Sequence, residues 1–239
     1  METLISIRDV YKEYRMNKQL TIPALNGVSL DVYRGEFLAI IGHSGSGKST
    51  FLNLLGLLDD PTRGEIYFAG HEINNFTEKQ KVGFRLNAIS FVFQFFNLID
   101  NYTALENIKF QLLLQGNSGS EAKRKSNEII DFLGLKDRAS FFPHELSGGE
   151  QQRVAIGRAL AKDSMIILAD EPTAHLDSKN GRATIQLLHN INKRFGRTVI
   201  LVTHEDEEAL NADRNVIMKD GKIIEIRNQS IAKPVNFVV

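Results

Sequence analysis

The chain has 239 residues, 42% hydrophobic and 24% charged, ordinary soluble globular usage with room for one large domain or two small ones. Twenty-nine basic residues balance 29 acidic ones, so no charge bias draws it to nucleic acid or anionic lipid, and no nucleic-acid partner is expected. The absence of cysteine excludes thiol catalysis and cysteine-ligated zinc and fits a reducing compartment.

Leu4 to Tyr14 and Leu25 to Tyr33 read as strands separated by a polar loop, Arg15 to Pro23. The run Phe37-Leu-Ala-Ile-Ile41 is apolar on both faces and ends in a glycine-rich turn, the pattern of a buried parallel strand. A helix is expected from Lys48 to about Asp59-Asp60-Pro61, then strands at Glu65 to Phe68 and Ser90 to Phe93. From about Ala104 to Leu160 the pattern turns helical, with helices at Glu121 to Leu133 and Gly149 to Leu160, the latter capped by Ser147. Met165 to Ala169 and Thr198 to Val202 are again short and apolar, joined by a helix over Arg182 to Asn192. Helix alternating with two-face apolar strand predicts an α/β parallel sheet carrying a helical insertion. The last dozen residues, Asn228 to Val239, are too few for a domain. No stretch approaches the ~20 apolar residues needed to span a bilayer, and the first residues lack the order of a secretory signal. Any membrane role is therefore expected to run through a partner.

Gly42-His43-Ser44-Gly45-Ser46-Gly47-Lys48-Ser49, followed by Thr50, fits G-x-x-x-x-G-K-[ST] between a buried strand and a helix. Its glycines let backbone amides turn toward phosphate oxygens, and the helix start adds partial positive charge. Lys48 is expected to reach the β- and γ-phosphates, and Ser49 to ligate Mg²⁺. Asp170 and Glu171 follow another buried strand: Asp170 suits Mg²⁺ held through water, and Glu171 suits polarising the attacking water. The competing reading, helix-capping acids ahead of Pro172-Thr173, becomes a minority one beside a phosphate loop. Ser147-Gly148-Gly149 opens a helix and offers a second anion-binding end, so two such ends on one chain suggest a nucleotide shared between subunits.

The stretch Leu146-Ser-Gly-Gly-Glu150-Gln-Gln-Arg-Val-Ala-Ile-Gly-Arg-Ala-Leu160 strongly resembles the signature of ABC-type ATPases. The resemblance covers nearly the whole chain. It implies a P-loop NTPase (RecA-like) core with a parallel sheet, an N-terminal antiparallel β subdomain and an inserted α-helical signature subdomain. Residues 1–94 and 162–239 would form the core and β subdomain, and about 95–161 the helical one. Gln94 matches the glutamine that contacts Mg²⁺ and senses the membrane partner, Ala174-His175-Leu176-Asp177 occupies the D-loop, and His204 matches the histidine at the γ-phosphate. Tyr14, with Tyr11 second, is the candidate to stack on adenine. His43 and Ala174-His175 depart from the residues usual there without removing a catalytic group; His175 is either a neutral substitution or a pH-sensitive interface group.

What the resemblance implies is an ATPase using ATP and Mg²⁺. Two copies, or a copy and a paralogue, would close head to tail over two MgATP, with Lys48, Ser49, Asp170, Glu171 and His204 of one facing Ser147 and Gly149 of the other. An integral membrane permease would hold the pair at the inner face of the cell membrane. The chain is most similar to the lipoprotein-release and macrolide-export branch. A cell-division relative that signals to wall hydrolases is the alternative. DNA-repair and translation relatives fit poorly, because they carry zinc modules, coiled coils or fused cassettes. Phe95, Phe96, Leu98 and Ile99 either receive a coupling helix of the permease or pack into the helical subdomain.

Overall fold

The computed structural model describes residues 2–15, 17 and 20–228. β1 (Thr3–Arg15) and β2 (Thr21–Tyr33) form a long antiparallel pair, and each buries its apolar positions on one face. β2 begins earlier than its hydrophobic run suggests: Pro23 opposes Glu13 and Ile22 opposes Tyr14. Proline is tolerated there because β2 is the edge of the sheet β2-β1-β4-β5, completed by β4 (Arg63–Phe68) and β5 (His71–Glu72).

β3 (Phe37–Ile41) is buried at all five positions and lies inside a six-stranded sheet. α1 (Lys48–Leu55) leaves its glycine turn and stops well short of the expected Asp59-Asp60-Pro61. Gly56 is its C-cap and has no room for a side chain, since a Cβ there would lie 2.1 Å from the Phe91 ring, and Leu57 then turns left-handed at φ 55°. α2 (Glu78–Ala88) is a helix the apolar pattern does not announce; Thr77 and Gln80 close a capping box at its start. β6 (Ile89–Val92) follows, then α3 (Ala104–Leu114), α4 (Gly119–Phe132) and α5 (Gly148–Ala161). β7 (Ile166–Asp170), α6 (Ser178–Phe195) and β8 (Thr198–Thr203) return to the sheet. β9 (Arg214–Lys219) and β10 (Lys222–Asn228) end the described chain, two strands beyond those expected. Asn228 is thus the end of a strand, and the remainder of the C-terminal segment lies outside the described residues.

The sheet order is β10-β9-β3-β8-β7-β6, parallel except for the antiparallel β9–β10 edge. One hydrophobic cluster fills the space between the two sheets around α1. A second covers the other face of the parallel sheet with α5 and α6, and a third, built on α3, α4 and α5, makes the helical insert a layer of its own. The carboxyl ends of β3, β7 and β8 lie side by side, where an open α/β sheet presents a ligand crevice: Ile41 pairs with Thr203, and Asp170 with Val202.

Candidate nucleotide site

The loop Gly42 to Gly47 joins β3 to α1 with Gly45 and Gly47 at φ 79° and 99°, conformations an L side chain adopts only under strain. Gly47 has a second constraint, since a Cβ would sit 2.5 Å from the Ala24 carbonyl oxygen of β2. Lys48 is buried, and its Nζ donates to the carbonyls of Gly42 (2.7 Å) and His43 (3.1 Å), so the loop curls around its ammonium. Ser46 Oγ is buried inside the loop and has no hydrogen-bond partner among the described residues.

Asp170 and Glu171 arrive from the end of β7. Ser49 Oγ donates to Asp170 Oδ1 at 3.1 Å, and Glu171 Oε1 lies 3.6 Å from Lys48 Nζ. Burial pushes the Asp170 carboxyl up, against the hydrogen bond from Ser49; the neighbouring Glu171 charge raises it further and Lys48 lowers it. Glu171 sits at φ 42°, a strained position for a side chain of its size, with its amide anchored on Val202 O at 2.9 Å. His204, at the end of β8, brings Nδ1 to 3.2 Å from Glu171 Oε2. Lys48, Ser49, Asp170, Glu171 and His204 therefore form one linked cluster.

Other expected residues stand apart from it. Gln94 Nε2 lies 3.4 Å from His175 Nε2, and the His175 ring packs on Phe95 at 4.8 Å, so the D-loop histidine holds the glutamine loop. Ser147 caps α5: Oγ accepts from Glu150 N at 3.4 Å, while Glu150 Oε2 accepts from Ser147 N at 2.8 Å. Those bonds and Arg138 hold the Glu150 carboxyl below the usual range, Ser147 foremost, so Glu150 serves the cap here. Asp177 caps α6 by accepting from Lys179 N and Asn180 N. Gly148 and Gly149 pack on Leu176 and Asn180 of that same turn. Among the described residues, no hydrogen bond joins Ser147, Gly148 or Gly149 to the phosphate loop.

Tyr14 stands beside α1, its hydroxyl donating to Asp59 Oδ2 at 2.9 Å, with Lys12 Nζ 4.9 Å from its ring centre and the ring partly exposed. Arg63 lies over the Tyr11 ring, 4.3 Å from its centre. Of the apolar loop after Gln94, Leu98 packs on the helical-insert core whereas Phe95 is 66% exposed. Gln152 and Glu208 were not expected at the site. Buried Gln152 donates to Pro172 O at 2.7 Å, and Glu208 accepts from Thr173 and Thr203. Glu208 belongs to the acidic run Glu205 to Glu208, which reads in sequence as a solvated surface; no local pattern marks it.

A glycine loop wrapped on a buried lysine, at the carboxyl end of a central parallel strand and beside two carboxylates, is the apparatus of P-loop nucleotide hydrolases. The family model described as ABC transporter matches residues 25–174. The chain is 44% identical over 204 residues to the lipoprotein-releasing system ATP-binding protein LolD of Bacteroides fragilis, covering 85% of this chain and 94% of that one. It is 42% identical to the macrolide export ATP-binding/permease protein MacB of Chlorobium phaeobacteroides, covering 98% of this chain but 35% of that longer protein. The dimeric post-hydrolysis structure of the cassette MJ0796 of Methanocaldococcus jannaschii, bound to ADP and Pi, superposes with a TM-score of 0.86 at 42% identity, covering 94% of this chain and 98% of that one. The chain belongs to the ABC transporter family, as an ATP-binding and ATP-hydrolysing cassette whose relatives include the LolD and MacB types.

Proposed function

We propose that the chain is the motor subunit of a membrane transporter of the lipoprotein-release or macrolide-export type. It closes head to tail with a second copy, or a paralogue, over two MgATP. The observation that carries this reading is the separation of the site. Lys48, Ser49, Asp170, Glu171 and His204 are joined by hydrogen bonds and ion pairs, while Ser147, Gly148 and Gly149 open a helix that, among the described residues, no such bond ties to them. A second copy supplies the missing half, in keeping with the dimeric form of the MJ0796 cassette.

In this reading Gly42, His43, Ser44, Gly45, Ser46 and Gly47 turn backbone amides toward phosphate oxygens, and Ser46 Oγ gains the partner it lacks. Lys48 leaves the carbonyls it now holds to meet the β- and γ-phosphates, and Thr50, in the first turn of α1, faces the phosphates beside Ser49. Ser49, Asp170 and Gln94 offer only oxygen donors on the protein side, which fits Mg²⁺, an ion that takes few protein ligands and completes its shell with phosphate and water. Mg²⁺ held by these residues would supply Lewis-acid chemistry, offsetting negative charge that develops on the triphosphate. Glu171 orients and deprotonates the attacking water, and His204, 3.2 Å away, holds the Glu171 side chain and faces the γ-phosphate. Tyr14 stacks on adenine. Ser147, Gly148 and Gly149 of the opposing copy close the triphosphate, with Glu150 fixing the cap and Asp177 the turn behind it.

The third hydrophobic cluster supports a helical subdomain over about 95–161, and the other two support a core plus β subdomain over the described parts of 1–94 and 162–239, with α5 contributing Ile156 and Ala159 to the core side. No helix among the described residues is long and apolar enough to cross a membrane, which agrees with a peripheral subunit held at the inner face by its permease. Exposed Phe95 beside Gln94 supports contact with that partner. Purification of the tagged chain from its native membrane tests the reading. A multi-span permease should co-purify in a 1:1 or 2:1 subunit ratio, about what a paired motor requires. Recovery of the chain from the soluble fraction with no membrane protein would refute it.

A further inference from the structure

Three acidic side chains open the short 3₁₀ helix Asp206–Asn211, and two of them, Asp206 and Glu207, are exposed. Glu208 instead turns inward and spends both carboxylate oxygens on hydroxyls from two different segments. Thr203 Oγ1 donates to Oε2 at 2.6 Å, and Thr173 Oγ1 donates to Oε1. Thr203 is 1% exposed, and its Oγ1 also accepts from Glu205 N at 3.0 Å, so its donor position is fixed on Glu208. Thr203 immediately precedes His204, and Thr173 stands two residues after Glu171. We infer that Glu208 is a positioning residue that clamps the segment carrying Glu171 to the segment carrying His204.

The clamp answers a mechanical need. Glu171 occupies a strained left-handed conformation that persists only if the chain is held on both sides of it. Before it, Asp170 is fixed in the sheet opposite Val202, and the Glu171 amide bonds to Val202 O. After it, Gln152 holds Pro172 O and Glu208 holds Thr173. The anchors before Glu171 reach the strand that bears His204 through the backbone at Val202, and Glu208 adds a side-chain link from Thr173, after Glu171, to Thr203 beside His204. The Glu171–His204 contact joins a side chain 23% exposed to one 48% exposed, so packing alone does not set its geometry. Removal of the carboxylate would strand two hydroxyls and break the link between Thr173 and Thr203 without touching the phosphate loop. Binding of ATP should persist and the hydrolytic step should suffer.

The inference rests on the assignment of Glu171 and His204 to hydrolysis, so Glu171→Gln is assayed beside it. With saturating MgATP, Glu208→Ala in the full chain should lower kcat about tenfold or more and leave KM for ATP within about threefold. Glu208→Gln keeps the length and one acceptor and should retain a kcat at least about threefold above that of Glu208→Ala. Thr203→Val added to Glu208→Ala should cause less than about a further twofold loss, since both substitutions break the same contact. If Glu208→Ala does not fold, Glu208→Gln and Thr173→Val carry the same comparison of kcat with KM. A Glu208→Ala kcat within about twofold of wild type, or a loss confined to KM, overturns the clamp while Glu171→Gln remains inactive. Full turnover by Glu171→Gln instead overturns the site assignment on which the clamp depends.

Discussion

Gly149, the second residue of α5, is under packing pressure that Gly148 escapes. A Cβ on Gly149 would lie 2.4 Å from Asn180 Oδ1, 2.6 Å from its Cγ and 3.1 Å from its Cβ. Asn180 has little freedom to retreat, because its Nδ2 donates to Asp177 Oδ2 at 2.6 Å and its amide is capped by Asp177 Oδ1 at 3.0 Å. A Cβ on Gly148 meets only ordinary contacts, Leu176 at 3.4 Å and Phe96 at 3.6 Å. Overpacking costs about 1–3 kcal/mol, and the better helix propensity of alanine returns up to about 1 kcal/mol, less near a helix start. Gly149→Ala should therefore lose a net ~1–2 kcal/mol, which lowers Tm by roughly 2–8 °C in a chain of this size, while Gly148→Ala should match or exceed wild type. Thermal unfolding without nucleotide separates this packing role from any role in phosphate binding. Asn180→Ala should cost less in the Gly149→Ala background than in wild type. Equal Tm values for the two alanine variants would refute the argument.

Burial and the Arg85 charge lower the Lys162 ammonium from 10.5 to about 8, so its charged form is penalised in the folded chain. The folded protein sheds this proton before the unfolded one does, and this group therefore adds stability as pH rises from about 8 toward 10.5. Lys162→Met should stabilise the protein to urea at pH 7, with an advantage that shrinks by about pH 9.5; a constant advantage would contradict the assignment. For the adenine platform, Tyr14→Ala should raise KM for ATP about tenfold and Tyr14→Phe less than about twofold. The same rise in Tyr11→Ala, with none in Tyr14→Ala, would exchange the two tyrosines.

The phosphate loop, the acidic strand end and the capped signature helix were legible because each needs a short, local pattern. A five-residue apolar strand, glycines at fixed spacing and a serine three residues ahead of Glu150 leave few alternatives. α2 escaped because Val82 and Leu86 are 54% and 38% exposed and Phe84 is the one large apolar side chain it packs on the core, so no apolar stripe appears; only its capping box announced it. β10 escaped for a similar reason, as Ile224 and Ile226 are exposed and blur the alternation. The need for glycine at the end of α1 comes from the Phe91 ring, 35 positions away in sequence and beside Gly56 only after folding. Glu208 and Gln152 are hidden in the same way, since their roles exist only where separate strand ends converge.

The central claim is that one copy holds half a site and a second copy completes it. Size-exclusion chromatography of Glu171→Gln with MgATP tests this most directly. The account predicts a stable species of twice the monomer mass, absent without nucleotide and absent when Lys48→Ala is added, because the intact triphosphate is what joins the copies. A Glu171→Gln protein that stays monomeric and turns over ATP at the wild-type rate would contradict it.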